Sequence, residues 1–113
     1  MHAPCEATLL GIFVGCDDTF DDKILHDQIV LKARAMEMAG ATVTRGVLGY
    51  GPASRELQIV LRLSEDLPIV IDIIDTDKKI KEFLPVVEDM IDSGLMTVQK
   101  VTVMCYGRKE RSA

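Results

Sequence analysis

The sequence predicts a single α+β domain with the element order β-α-β-β-α-β. Three observations support it. Residues 6–15, 41–50, 67–75 and 96–106 are rich in aliphatic and β-branched residues, as strands are. Residues 23–39 and 77–93 carry apolar residues at helical spacing. Glycine, proline and aspartate punctuate the joins. A chain of 113 residues has room for one such domain.

The first strand, 6–15 (EATLLGIFVG), ends in Gly15. The connection 16–22 (CDDTFDD) is turn-rich, and Asp21 or Asp22 is expected to cap the following helix through a side-chain oxygen. In the helix 23–39, Leu25, Ile29, Ala33 and Met36 share a face, and Gly40 is the expected stop. Gly46 interrupts the second strand, 41–50, which suggests a bulge or a close backbone approach. Residues 53–66 fit either a loop with strand extensions or a short helix.

The third strand, 67–75 (LPIVIDIID), alternates Ile69, Ile71 and Ile73 with Val70, Asp72 and Ile74. In the second helix, 77–93, the stripe is Ile80, Phe83, Leu84, Val87 and Ile91, with Asp75 or Thr76 as cap. Pro85 is expected to kink it, because an interior proline costs about 3 kcal/mol. The last strand, 96–106, is followed by a charged tail, 107–113. Right-handed crossovers then give a ferredoxin-like sandwich of four antiparallel strands with both helices on one face. The other face is apolar and uncovered, which predicts association of subunits.

Composition excludes several classes. With 48% hydrophobic and 27% charged residues the chain is globular, and with 4% aromatics and no tryptophan its core is aliphatic. A net charge of −5 without a basic cluster argues against nucleic acid as partner. No apolar run approaches the length of a membrane span, and the first residues do not read as a signal peptide. Three cysteines without framework spacing fit reduced thiols in the cytoplasm. Cys5, Cys16, Cys105, His2 and His26 have no metal-ligand spacing, and Cys16 with His26 lacks a third group to make a nucleophile. The acidic run 17–22 lacks the spacing of a Ca²⁺ loop. No acid–base pair is readable, so no enzyme is expected. Arg45 and Arg55, flanking Gly49-Tyr50-Gly51, have the donor fork that suits phosphate or carboxylate.

The run from Gly40 to Gly51 (GATVTRGVLGYG) resembles the second strand of PII signal-transduction proteins. There a G-x-T-V-T run leads to glycine–aromatic–glycine at the root of the T-loop. With the segment from Arg62 to Pro68 (RLSEDLP), it looks like the PII-like family called domain of unknown function 190. The likeness runs from Leu9 to Val103.

The resemblance implies a homotrimer that binds a small anionic effector, usually an adenine nucleotide, in clefts between subunits. It further implies signalling through a T-loop, here about residues 50–66, to a membrane transporter or channel or to a regulatory protein. By position, Gly40 and Thr42 approach the adenine, and Gly49 and Gly51 form the T-loop root. Lys100 matches the phosphate-binding lysine of the loop before the last strand, and Arg108 a C-terminal arginine. Thr97, Val98 and Gln99 replace the glycines expected around Lys100, which removes much of a phosphate-cradling nest. Tyr50, Arg55 and Arg62 fall in the partner-binding loop. A CutA-like trimer holding a divalent metal through Cys16, His26 and Cys105 is the alternative on the same fold.

Overall fold

The computed structural model of the chain describes residues 1–51, 54–59 and 67–107. Its centre is a four-stranded antiparallel sheet. In chain order the strands and helices are β1 (Cys5–Gly15), β2 (Thr19–Phe20), β3 (Lys23–Ile24), α1 (Leu25–Ala35), β4 (Gly40–Arg45), β5 (Leu48–Gly51), β6 (Ser54–Ile59), β7 (Pro68–Asp75), α2 (Asp77–Glu88) and β8 (Leu95–Val103). The sheet order is β4-β7-β1-β8, the predicted split β-α-β arrangement.

The central pair fixes the core. Leu10, Ile12 and Val14 of β1 stand opposite Ile73, Ile71 and Ile69 of β7, and all six are buried. Side chains alternate across a strand, so these three pairs share one face. Leu25, Ile29 and Ala33 of α1 and Ile80, Phe83 and Val87 of α2 close over that face. The apolar stripes expected of both helices therefore point into one core.

The ends of α1 differ from expectation. Asp21 and Asp22 do not cap it. Both have positive φ, 50° and 63°, and form the two-residue tip of the β2–β3 hairpin. That backbone matches the twist of paired strands, and aspartate tolerates it. Ile24 holds the N-cap position without a side-chain hydrogen bond. Gly40 is not the stop either, since it already belongs to β4. The helix closes with Glu37 at φ 58°, where Glu37 N–H donates to Arg34 O at 3.0 Å and Met38 N–H to Ala33 O at 3.0 Å. This is a Schellman closure with glutamate where glycine is usual.

At the other helix Thr76 caps as expected, accepting from Lys79 N–H at 3.4 Å. The helix runs through Pro85. Proline removes the donor that would reach the Lys81 carbonyl, and both residues lie on the exposed side, where that carbonyl is open to solvent. None of the described helices is long and apolar enough to cross a membrane.

A left-handed conformation costs a side-chain-bearing residue about 1–2 kcal/mol relative to glycine. Glu37→Gly should accordingly raise the unfolding free energy by about 1 kcal/mol, measured by urea titration. An unchanged or lower midpoint would contradict the closure described.

Candidate functional site

The predicted residues lie in two groups on opposite edges of the sheet. Gly40, Thr42 and Arg45 are on edge strand β4. Gly40 and Thr42 pair with Ile74 and Asp72, which sets them on the sheet face away from the helices. Arg45 pairs with Ile69 and so stands on the helix side, where its charge acts on Cys16. Burial pushes the Cys16 thiol up, with the Leu67 backbone and Arg45 opposing, which leaves it a poor nucleophile.

The strand break at Gly46 is a close approach. Gly46 N–H donates to Pro68 O at 2.7 Å, and a Cβ on Gly46 would lie 2.7 Å from Pro68 Cγ. At Gly49 the corresponding distance is 3.2 Å. Neither glycine needs a left-handed backbone; both make room for the Pro68 ring. Beyond this point the chain leaves the main sheet as a β5–β6 ribbon, with Leu48 opposite Ile59 and Gly51 opposite Ser54. The register shifts between Gly49 and Gly51, so Tyr50 sits in an irregularity and is 72% exposed. The helical reading of residues 53–66 is thus replaced, over 54–59, by a strand. Arg55 lies on β6, whereas Arg62 and Arg108 fall outside the described residues.

Lys100 occupies the other edge. It stands well inside β8, opposite Thr8, and not in a loop before the last strand. The reason is that β8 already begins at Leu95, because 95–103 pair continuously with β1. Three interstrand steps, about 14 Å, separate it from β4. Thr8 Oγ1 donates to Asp77 Oδ1 at 3.2 Å, and Lys81 Nζ is 2.9 Å from Asp77 Oδ2. The hydrogen bond from Lys81 holds Asp77 below the usual carboxylate range, with Thr8 and the Lys100 charge adding to it. Two ammonium groups, of Lys81 and Lys100, thus act on one carboxylate at this edge. In a single chain the β4 and β8 groups cannot close on one small ligand.

A polar junction beneath β4 escapes the sequence patterns. Asp75, 4% exposed, accepts from Ala39 N–H at 2.8 Å and from Thr76 N–H at 2.7 Å. Lys79 Nζ donates to the Met36 and Glu37 carbonyls at 3.1 and 2.7 Å. Tyr106 OH donates to Ala39 O at 3.0 Å. Ala39 is therefore held at both N–H and C=O immediately before Gly40, and the segment after β8 is anchored there. The alternation Ile69, Ile71, Ile73, Asp75 was the available signal, since it sets an acid in the buried series.

Among the described residues no group of three or more His, Cys, Asp or Glu side chains is placed to hold a metal ion. A groove of about 480 Å³ between α1 and α2, with Leu31, Val86 and Met90 on its walls, contains none of the predicted residues.

The sheet order and the ribbon between β4 and β7 define a PII-like fold. The same fold is found in a putative PII-like signaling protein from Thermus thermophilus, with TM-score 0.64 and 16% identity, covering 88% of this chain and 90% of that one. It is found again in CPII from Thiomonas intermedia K12, solved bound to ADP and bicarbonate, with TM-score 0.61 and 16% identity over 88% of this chain and 89% of that chain. The DUF190 family model, described as Uncharacterized ACR, COG1993, matches residues 7–103, and the chain belongs to that family. A UPF0166 protein of Aquifex aeolicus (strain VF5) is 35% identical over 98 residues, 85% of this chain and 91% of the relative.

Two outcomes test this geometry. Gly46→Ala should destabilise the protein by about 1–3 kcal/mol, because the methyl group must push the Pro68 ring aside. Pro68→Ala in the same chain should restore most of the loss, measured by thermal unfolding. Asp77 has a depressed folded-state pKa, so its contribution is present above the ordinary carboxylate pKa and is lost as pH falls through the folded value. Asp77→Asn should accordingly flatten the acid limb of the stability–pH curve below about pH 4.

Proposed function

We propose that this protein is a PII-like regulatory module, not an enzyme. It works as a homotrimer, takes a small anionic effector between subunits and signals through the segment 50–66. The effector proposed is an adenine nucleotide. The observation that carries the reading is the β5–β6 ribbon leaving the sheet at a Gly46–Gly49 hinge packed on Pro68. Family membership over residues 7–103, and a fold neighbour solved with ADP and bicarbonate, support it.

The separation of the two candidate groups has a direct consequence in this reading. The β4 edge of one copy, with Gly40 and Thr42, faces the β8 edge of the next, with Lys100. Gly40 and the neighbouring backbone receive the base. Lys100 receives the phosphates from a strand position, in place of a glycine nest. Arg45 at the ribbon root and Arg108 in the C-terminal segment add positive charge, and Gly49 and Gly51 let the root respond. Tyr50, Arg55 and Arg62 lie on the segment that meets a transporter, channel or regulator. A cytoplasmic location follows from this role.

Isothermal titration with ATP, ADP, AMP and cyclic nucleotides tests it. Saturable binding of at least one, weakened about tenfold or more by Lys100→Ala, is the expected result, since a hydrogen bond to a charged group is worth about 1.5–3 kcal/mol. A chain that binds none of them overturns it. Phe13 is 37% exposed on the open sheet face. Phe13→Asp should convert the trimer to monomer in sedimentation velocity, with the circular dichroism spectrum retained.

A further inference from the structure

The open face of the sheet has an unusual charge pattern. Registers across the four strands align Thr42, Asp72, Gly11 and Thr97 in one row at its middle. Leu9 and Ile74 lie on one side of the row, Phe13 and Val70 on the other. A polar band thus crosses an apolar field. Gly11 leaves a notch in the band. A Cβ there would lie 2.8 Å from Thr97 Oγ1 and 3.9 Å from Asp72 Oδ1.

Asp72 is the one charged side chain on this face among the described residues of the four strands. The facing residues of β4 are Gly40, Thr42 and Thr44, and those of β1 and β8 nearest the row are apolar, Thr97 or Gln99. Among the same residues, the other titratable group on the face is the Cys5 thiol, at the far end of β1. Lys100, Arg45 and Glu6 stand on the helix side, as their cross-strand partners Thr8, Ile69 and Thr102 require. Among the described strand residues, therefore, no cation on the face neutralises the carboxylate.

A second copy is the occupant this pattern fits. Among the described strand residues the face has no positive charge to offer an acidic peptide or an anionic lipid surface, and the chain's net charge of −5 repels both. A copy of the same face offers apolar strips to cover apolar strips, and neutral threonine hydroxyls to the acid. It also brings carboxylates together without a base. Removing an unpaired carboxylate from water is costly, and nearby like charges add to the cost.

We propose that Asp72 makes association of copies through the open sheet face proton-dependent. The inference rests on the trimer reading above and adds the group that regulates it. Once protonated, the acid is neutral and donates to a hydroxyl of the row. The associated state therefore binds protons more tightly than the separate chains. By linkage, lowering the pH favours association and raising it favours dissociation. The carboxylate also penalises shifted arrangements that would set it against Leu9, Phe13 or Val70, so it selects the register in which polar band meets polar band.

Sedimentation equilibrium of the wild type and of Asp72→Asn, between about pH 4 and pH 7, tests the proposal across the range in which a carboxylate titrates. The wild type should dissociate about tenfold or more readily at pH 7 than at pH 4, since each unit by which association raises a carboxylate's pKa is worth up to tenfold. Asp72→Asn should associate more tightly and with a flat profile. Asp72→Ser, which keeps a polar group of smaller size, should be flat as well, and circular dichroism confirms that both variants are folded. Equal pH profiles in wild type and variants would overturn the role of Asp72 while leaving the trimer intact. Monomers at every pH in all three chains would overturn the trimer reading along with this inference.

Discussion

Pairing of β1 with β7 is the constraint on which the rest of the structure depends. It sets Leu10, Ile12 and Val14 against Ile73, Ile71 and Ile69 and so decides which face of the sheet the helices must cover. A slip of β7 by one residue would turn Ile69, Ile71 and Ile73 away from the helices and bring Val70, Asp72 and Ile74 beneath them. Phe83, Ile80 and Val87 would then pack on an acid. The cost of burying that acid without a partner is what makes the register unambiguous.

The same register explains why function concentrates at edges and ends. With β7 and β1 in the middle, β4 and β8 become edge strands, and their outer hydrogen-bonding groups remain open. Edge strands suit contacts between copies, and each edge carries one half of the proposed effector site. At one end of the sheet, Pro68 starts β7 and its ring forces Gly46 and Gly49 to lie close. That contact sends the chain out of the sheet as a ribbon. At the opposite end, Asp75, Lys79 and Tyr106 tie the close of α1, the start of β4 and the segment after β8 together. The strand that carries Gly40 and Thr42 is thus tied by hydrogen bonds where it begins and leaves the sheet where it ends.

Much of this was readable in the sequence. Period-two alternation in LPIVIDIID and helical spacing in both apolar stripes gave the layers, because each element has only one way to bury its own pattern. The resemblance of Gly40–Gly51 to PII proteins agreed with the family that the chain belongs to. Local errors came where tertiary contacts override local propensity. Asp21 and Asp22 looked like helix caps because aspartate serves both caps and hairpin tips. Glu37 in a left-handed conformation had no sequence signal at all; Lys79, distant in the chain, stabilises it from another helix.

The sequence by itself determined the element order, the aliphatic core and the existence of a second apolar sheet face. These follow from periodicity, which is a property of the chain taken locally. Only the tertiary structure decided where the candidate site residues meet. It set Lys100 on the edge opposite Gly40 and Thr42, and aligned Asp72 with Gly11 across the open face. The physical reason is register. Which residues stand opposite one another depends on how far each strand slides before its buried set is satisfied, and that sum is made over the whole sheet at once.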